Sequence, residues 1–209
     1  MKAIILYLKE LPHTRESAQI AMDSCKQFGV EPELFEGYVP TRANQYIKEK
    51  NLGFYDPGPK LYKIKNKKGG VRGCMISHLE IWEEVVRRNE TTIIMEHDAQ
   101  MVSNTWDVDF DDILHCDAHR FEDDADAGTD TKVVQWTHQR KGEIQLKGTY
   151  GYVIKPHAAK RLIQAAYEDG ITASDMFIKQ RYCNLQLVKP RAILVRTRES
   201  LSSDRTFDM

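Results

Sequence analysis

The first forty residues alternate between strand-like and helix-like patterns of apolar and polar positions. Residues 2–8 (KAIILYL) form a short apolar run typical of a buried strand. Residues 14–29 carry apolar side chains at helical spacing and end at Gly29, which suits the end of a helix. Residues 31–38 again have the pattern of a strand. Strand, helix and strand in this order predict a parallel α/β sheet.

The rest of the chain divides into further helices and strands by the same patterns. Helices are predicted at 41–50, 73–89, 111–115 (DDILH), 156–170 and 174–183. Strands are predicted at 91–95, 132–138, 148–156 and 192–196. Pro156 suits an early helical position, Gly170 suits the C-terminal cap of that helix, and Ser174 or Asp175 suits the next N-cap. With no internal repeat or low-complexity linker, 1–209 is predicted to be a single, doubly wound domain.

The charge of the chain is balanced overall but unevenly distributed along it. There are 30 Lys and Arg against 31 Asp and Glu, which gives a net charge of -1. Residues 60–72 contain six basic residues and no acid, within a long loop rich in Gly and Pro. Residues 107–130 are rich in acid, with Arg120 as the only Lys or Arg. Either segment could be a solvated loop, and the basic one could instead bind phosphates.

The N-terminus and the cysteines bear on the compartment. Residues 1–12 lack the long apolar region and the cleavage site of a signal peptide. No segment approaches the roughly 20 apolar residues of a membrane span. The four cysteines are scattered without paired spacing. We therefore expect a cytoplasmic protein with reduced thiols and no membrane span.

Three residues that can bind a proton or a metal directly follow the strand predicted at 91–95. They are Glu96, His97 and Asp98. Ligands of open α/β sheets gather at the carboxyl ends of the strands. Because alternate residues of an extended segment point the same way, Glu96 and Asp98 could converge on a divalent metal that holds a diphosphate. The alternative is an ordinary helix cap or solvated turn.

Residues 70–100, read together, resemble the central signature of glycosyltransferase family 25. This family includes lipopolysaccharide sugar transferases and collagen hydroxylysine galactosyltransferases. Its pattern is Gly-Cys, then Ser-His, then Trp, a helix, and an apolar strand that ends in Glu-Asp-Asp. The matching residues here are Gly73, Cys74, Ser77, His78, Trp82 and the triplet 96–98.

Weaker similarities to the family extend along almost the whole chain in the same order. They include the arginine after the first strand (Arg15), Tyr152 in the late strand, and Asp175 in the later Asp motif. Two positions depart from the pattern: Tyr7 stands where the family usually carries Asn, and His97 replaces the middle Asp of Glu-Asp-Asp.

The resemblance implies a single-domain GT-A-like (Rossmann-like) α/β fold with a mixed, mostly parallel sheet flanked by helices. It also implies a hexosyl- or pentosyltransferase that moves a sugar from a nucleotide diphosphate, with a UDP-sugar favoured, to an acceptor hydroxyl with inversion. The default acceptor is a surface glycan, as in lipopolysaccharide biosynthesis. The implied cofactor is Mn²⁺ or Mg²⁺ bound by Asp98, which His97 could also ligate.

Each predicted site residue has a functional and a structural interpretation. Asp175 is the candidate base for the acceptor hydroxyl, or it caps a helix. Predicted donor contacts are Arg15, Ser77, His78, Glu96 and His97, and predicted acceptor contacts are Trp136 and His138. The structural alternatives are a surface position for Arg15, back-bonding to its own helix for Ser77, a core position for His78 and strand packing for Trp136.

Three other functions stay open at this stage. The basic loop and the tail arginines could attract DNA, as in a phage-type transferase that glycosylates hydroxylated bases. The near-neutral charge and the lack of a recognition helix argue against tight nucleic-acid binding. The substitution at His97 could also mark a catalytically inactive relative that only binds a nucleotide or glycan. The third is a nucleic-acid-binding module without transferase activity, whose affinity for DNA would fall steeply with salt.

Overall fold

The computed structural model describes residues 1–54, 69–117, 130–140 and 142–196. Most of the basic segment predicted to bind phosphates, half of the acidic segment, and the tail arginines Arg198 and Arg205 lie outside these ranges. Within them, no helix has the length and apolar character needed to cross a membrane.

Five helices are described. They are α1 (Pro12–Gln27), α2 (Pro40–Glu49), α3 (Gly69–Arg88), α4 (Pro156–Glu168) and α5 (Ser174–Phe177). Three of them have proline at their first helical position, where its missing N–H costs nothing. Gly29 after α1 and Gly170 after α4 have positive φ, as the sequence predicts for helix ends.

Eleven strands are described. They are β1 (Lys2–Tyr7), β2 (Glu31–Glu36), β3 (Thr92–Glu96), β4 (Ala99–Met101), β5 (Ile113–His115), β6 (Lys132–Gln135), β7 (Gln139–Arg140), β8 (Glu143–Ile144), β9 (Gly151–Ile154), β10 (Leu185–Lys189) and β11 (Ile193–Val195). Seven form one sheet in the order β2-β1-β3-β9-β5-β10-β6, while β4 pairs with β11 and β7 with β8.

The main sheet is mixed and mostly parallel, as predicted. The strands β2, β1, β3, β5 and β10 run in one direction, and β9 and β6 run against them. Because β9 is antiparallel between β3 and β5, the residues just before it lie at the carboxyl ends of these neighbours. The amide of Glu96 accordingly donates to the carbonyl of Tyr150 at 2.9 Å.

Apolar side chains cover both faces of the sheet. One face packs mainly against α2, α3 and α4, and its core includes Ile4, Ile94 and Trp82. The other packs against α1, and its core includes Ile5 and Met95. Consecutive residues of β1 and β3 therefore enter opposite cores, which explains why both strands read as continuous apolar runs.

Several sequence predictions are wrong in detail. The sequence predicts a helix at 111–115, but 113–115 form the interior strand β5, because so short an apolar run has no diagnostic period. The last helix ends at Phe177, and its N-cap is Ala173 with no capping side chain. The sequence also gave no indication of β10.

A polar cluster lies at the opposite end of the strands from Glu96. The Asp112 carboxylate, just before β5, accepts from the amide of Asn184 at 2.6 Å and contacts the His157 ring at 2.7 Å. Arg161 of α4 forms an ion pair with the same carboxylate. Hydrogen bonds from Asn184 and ion pairing with Arg161 lower the pKa of Asp112 despite its partial burial. This cluster ties α4 to the central strands.

Candidate functional site

The last residue of β3, Glu96, lies in a buried polar network. Its side chain is 3% exposed, and its Oε1 accepts a hydrogen bond from the Thr149 hydroxyl at 2.6 Å. The Nε2 of His78 lies 3.7 Å from the same oxygen. Burial opposes ionisation of Glu96, but His78 and Thr149 outweigh it and lower the pKa of the carboxyl. Glu96 therefore carries a negative charge within this buried network.

Helix α3 supplies the other side of this network. Cys74 and His78 are one turn apart, so both face the sheet. The Tyr152 hydroxyl lies 2.9 Å from His78 Nδ1 and accepts a hydrogen bond from the Trp82 indole at 2.9 Å. When Tyr152 donates in turn to Nδ1, the proton of His78 sits on Nε2 and faces Glu96. This tautomer supplies the donor that an ionised carboxylate needs.

Thr149 and Ser174 connect the network to the predicted base. The Thr149 hydroxyl is 3.1 Å from that of Ser174, which is 3.4 Å from the Cys74 sulfur. Asp175 follows Ser174 and is partly exposed. Its side chain lines a cavity of about 350 Å³. The other lining residues are His138, Gln139, Gln145, Leu146 and Lys147. The structure thus brings Asp175 and His138, predicted for base and acceptor contact, into one cavity.

The chain turns immediately after Glu96, and this corrects the expectation of an extended segment. His97 and Asp98 form the turn that leads into β4. Arg196 holds this turn, because its amide donates to the Asp98 carbonyl at 2.9 Å and its Nη2 donates to the His97 carbonyl at 2.9 Å. The same Nη2 donates to the Ser17 hydroxyl at 2.8 Å. Glu96 and Asp98 consequently have different neighbours instead of converging through an extended backbone.

His97 and Asp98, which the sequence predicts to hold a cation, are both buried. Asp98 is 1% exposed, and burial lowers the pKa of His97 to about 4, so its imidazole is neutral at pH 7. Among the described residues, Nδ1 of His97 has no hydrogen-bond partner. A neutral imidazole nitrogen and a carboxylate oxygen are both ligands that Mn²⁺ accepts. These two residues therefore fit the cation that the sequence implies.

A second group of donors meets elsewhere in the described part of the chain. One donor atom each from Cys74, His78 and Glu96 lies within 4.8 Å of the others. Sulfur and imidazole donors suit zinc better than Mg²⁺ or Mn²⁺, which prefer oxygen. Burial also raises the pKa of the Cys74 thiol, and a metal binds the thiolate. This group could hold a metal, but it does not fit the predicted hard cation.

The remaining predicted residues lie in different surroundings. Arg15 is exposed in the first turn of α1. The Ser77 hydroxyl donates to the Gly73 carbonyl at 2.7 Å, as the back-bonding interpretation expects, and accepts from the amide of Tyr38 at 2.8 Å. Trp136 is 1% exposed and belongs to the hydrophobic core, as the packing interpretation expects. Its ring lies 5.9 Å from that of His138.

Sequence reasoning missed three members of the network around Glu96. Cys74 had a usable signal, since it stands four residues before His78 on a predicted helix. Thr149 and Ser174 had none, because only the tertiary fold brings them to the end of β3. All four cysteines are free and buried.

Comparison with known proteins bears directly on this site. No curated protein matches the chain significantly. The sequence profile of glycosyltransferase family 25, described as an LPS biosynthesis protein, matches residues 6–178. The match covers more than four fifths of the 209 residues and includes the Glu96 network, the 97–98 turn and Asp175. The chain therefore belongs to glycosyltransferase family 25 and is a glycosyltransferase.

Proposed function

We propose that this protein transfers a sugar from a nucleotide diphosphate, with UDP favoured, to a hydroxyl group of a surface glycan. The observation that carries the proposal is the cavity shared by Asp175 and His138, next to the network that holds Glu96 ionised. A carboxylate in a cavity can accept the acceptor's proton while the sugar is displaced. One direct displacement of this kind inverts the anomeric centre.

Asp175 is the proposed catalytic base. It is partly exposed, whereas the neighbouring Ser174 is buried and hydrogen-bonded to the network. This contact orients the short helix α5, and Asp175 lines the cavity that would admit the acceptor. His138 supplies a polar contact to the acceptor, and Trp136 supports His138 from the core.

The donor side of the proposed site comprises the ends of β1 and β3 and the start of α1. Asp98 and His97 would hold Mn²⁺ or Mg²⁺, which when bound offsets the charge that develops on the leaving diphosphate. Glu96 and His78, the other predicted donor contacts, lie in the buried network at the end of β3. Ser77 would act indirectly, through the Tyr38 amide that it binds, and Arg15, exposed near the start of α1, would contribute positive charge.

The test is a turnover assay with a panel of nucleotide sugars and Mn²⁺, offering glycan fragments and hydroxymethylated DNA as parallel acceptors. We expect release of nucleotide diphosphate and transfer to glycan. Asp175→Asn should lower the rate by about 10²–10⁴-fold, the usual contribution of a general base. Asp23→Asn on the exposed face of α1 is the matched control.

Three outcomes of this assay contradict the proposal. A wild-type rate in Asp175→Asn would show that Asp175 is not the catalytic base. Transfer to DNA alone identifies a base-modifying enzyme. Donor binding without turnover identifies a catalytically inactive binding protein.

A further inference from the structure

A second cavity lies beside the one that contains Asp175. Its volume is about 370 Å³, and Gln139 lines both cavities. The described residues that line it are Gln139, Gly142, Glu143, Ile144, Gln180 and Arg181. Both volumes fall in the lower part of the range of small-molecule sites, so each suits a ligand about the size of one sugar unit.

Two hydrogen-bonded backbone segments, 144–146 and 178–180, connect the two cavities. The Leu146 amide donates to the Ile178 carbonyl at 2.8 Å, and the Gln180 amide donates to the Ile144 carbonyl at 2.9 Å. The segment 178–180 begins three residues after Asp175. The cavities therefore have a defined spacing from each other and from the proposed base.

A buried lysine strengthens the same connection. Lys179 is 2% exposed, and its Nζ contacts the Glu143 carboxylate at 3.2 Å. Its ammonium group also lies 5.0 Å from the centre of the Tyr182 ring. Because a buried ammonium requires such compensation, the pairing with Glu143 holds the β7–β8 hairpin against the segment after α5.

Among the described residues that line the second cavity, both charged side chains have partners. Glu143 is compensated by Lys179, and Arg181 lies 3.5 Å from the Asp169 carboxylate. The other polar side chains among its described lining residues are the amides of Gln139 and Gln180. Amides both donate and accept hydrogen bonds, as sugar hydroxyls do, whereas a phosphate requires available positive charge. The lining therefore favours a neutral saccharide over a nucleotide or a nucleic-acid backbone.

We propose that the second cavity binds the sugar unit next to the one that reacts, so that the preferred acceptor is at least a disaccharide. This inference rests on the proposed function, which assigns the first cavity to the reacting sugar. Gln139, at the boundary of the two cavities, would contact both units. The enzyme would then extend a glycan chain in preference to modifying a single sugar.

The test compares acceptors that share a terminal sugar but differ in length. Methyl glycosides of glucose, galactose and N-acetylglucosamine are offered alone and as the terminal unit of methyl disaccharides. For the sugar that reacts, we expect kcat/KM to be about tenfold higher for the disaccharide, the value of one or two added hydrogen bonds. In Gln180→Ala this ratio should fall towards one. Gln19→Ala on α1 should keep the wild-type ratio.

Failure of this inference can be distinguished from failure of the proposed function. Transfer to monosaccharides and disaccharides with equal kcat/KM overturns the second subsite and leaves the transferase intact. A disaccharide preference that survives in Gln180→Ala also overturns it. If none of the offered acceptors reacts, that result also counts against the second subsite. Donor turnover and its dependence on Asp175 are measured separately, by release of nucleotide diphosphate.

Discussion

Glu96 and Asp98 are two residues apart, yet the protein compensates their buried charges by different means. The Glu96 carboxylate accepts from the Thr149 hydroxyl and faces an imidazole. The Asp98 turn is held by Arg196, whose charged form is favoured by attraction to Asp98 even though burial lowers the pKa of the guanidinium. Glu96 thus lies among a hydroxyl and an imidazole of the packed interior, and Asp98 lies near a guanidinium.

This difference indicates a division of labour between the two carboxylates. A carboxylate whose hydrogen bonds come from packed helices and strands is well placed to support the shape of a cavity. A carboxylate in a turn beside an imidazole and an arginine is better placed to exchange partners when a cation and a diphosphate enter. Glu96 should therefore matter more for stability, and Asp98 more for turnover.

The largest effect should come from removing the carboxylate of the turn. We expect Asp98→Ala to lower kcat by about 10²–10³-fold, as when one charge-stabilising group is lost from an active site. Its thermal unfolding should stay close to that of the wild type. Steady-state rates with Mn²⁺ and a melting curve measure both properties, with the exposed Asp107→Ala as the control. A wild-type kcat in Asp98→Ala would remove this residue from the mechanism.

A pH titration extends the comparison to His115, a buried residue at the end of the nearby strand β5. Burial lowers the pKa of His115 to about 4, against 6.5 for an ordinary histidine. Between these values the unfolded chain binds a proton that the folded chain does not, so stability falls as the pH drops from 6.5 to 4. The difference corresponds to about 3 kcal/mol in the free energy of unfolding.

Urea unfolding at several pH values in this window measures the contribution of His115. His115→Gln should flatten the dependence on pH, whereas Gln19→Ala on the exposed face of α1 should not. An unchanged pH dependence in His115→Gln would show that other groups cause the loss of stability.

Removing the Glu96 carboxylate should lower stability more than it lowers turnover. Glu96→Ala leaves His78 without the carboxylate that it faces, while Thr149 can still bond to Ser174. We expect the free energy of unfolding to fall by about 2 kcal/mol, and by less in Glu96→Gln, which keeps an acceptor. Urea unfolding provides the measurement, with the exposed Glu90→Ala as control. Equal stability of Glu96→Ala and the wild type would contradict the contrast with Asp98.

The smallest predicted effect concerns the residue between the two carboxylates. His97→Asp restores the acidic triplet of the family and adds a carboxylate to the Asp98 turn, where Arg196 can offset its charge. We expect the affinity for Mn²⁺ to rise about tenfold, because affinity for hard cations increases with the number of charged ligands. Isothermal titration calorimetry measures it, with Gln164→Asp on the exposed face of α4 as control. A weaker affinity would instead identify the imidazole as a ligand.

The sequence predicts those parts of the site that follow from local pattern. The apolar run of β3 leads directly to Glu96, and this position at a carboxyl strand end follows from the α/β pattern alone. The helical spacing of Cys74 and His78 places them on one face. Even the departure at His97 can be seen without a structure, because it interrupts a recognisable acidic triplet.

Other parts depend on packing that no local pattern contains. Thr149 reaches Glu96 only because β9 enters the sheet against its neighbours. The strand β10 combines apolar residues with Lys189, which is buried in the fold although its sequence suggests exposure. The direction of the turn at residues 97–98 depends on Arg196, which is about one hundred positions away in the chain.

Because β9 runs against its neighbours, its two ends have different roles. It begins beside Thr149 and the reaction cavity, and it leads into the helix that Asp112 and Arg161 clamp at the far edge. Substitutions that strengthen the polar cluster around Asp112 could therefore raise the thermal stability of the protein with little effect on donor or acceptor selectivity. Engineering of selectivity would concentrate on the few residues that precede Gly151.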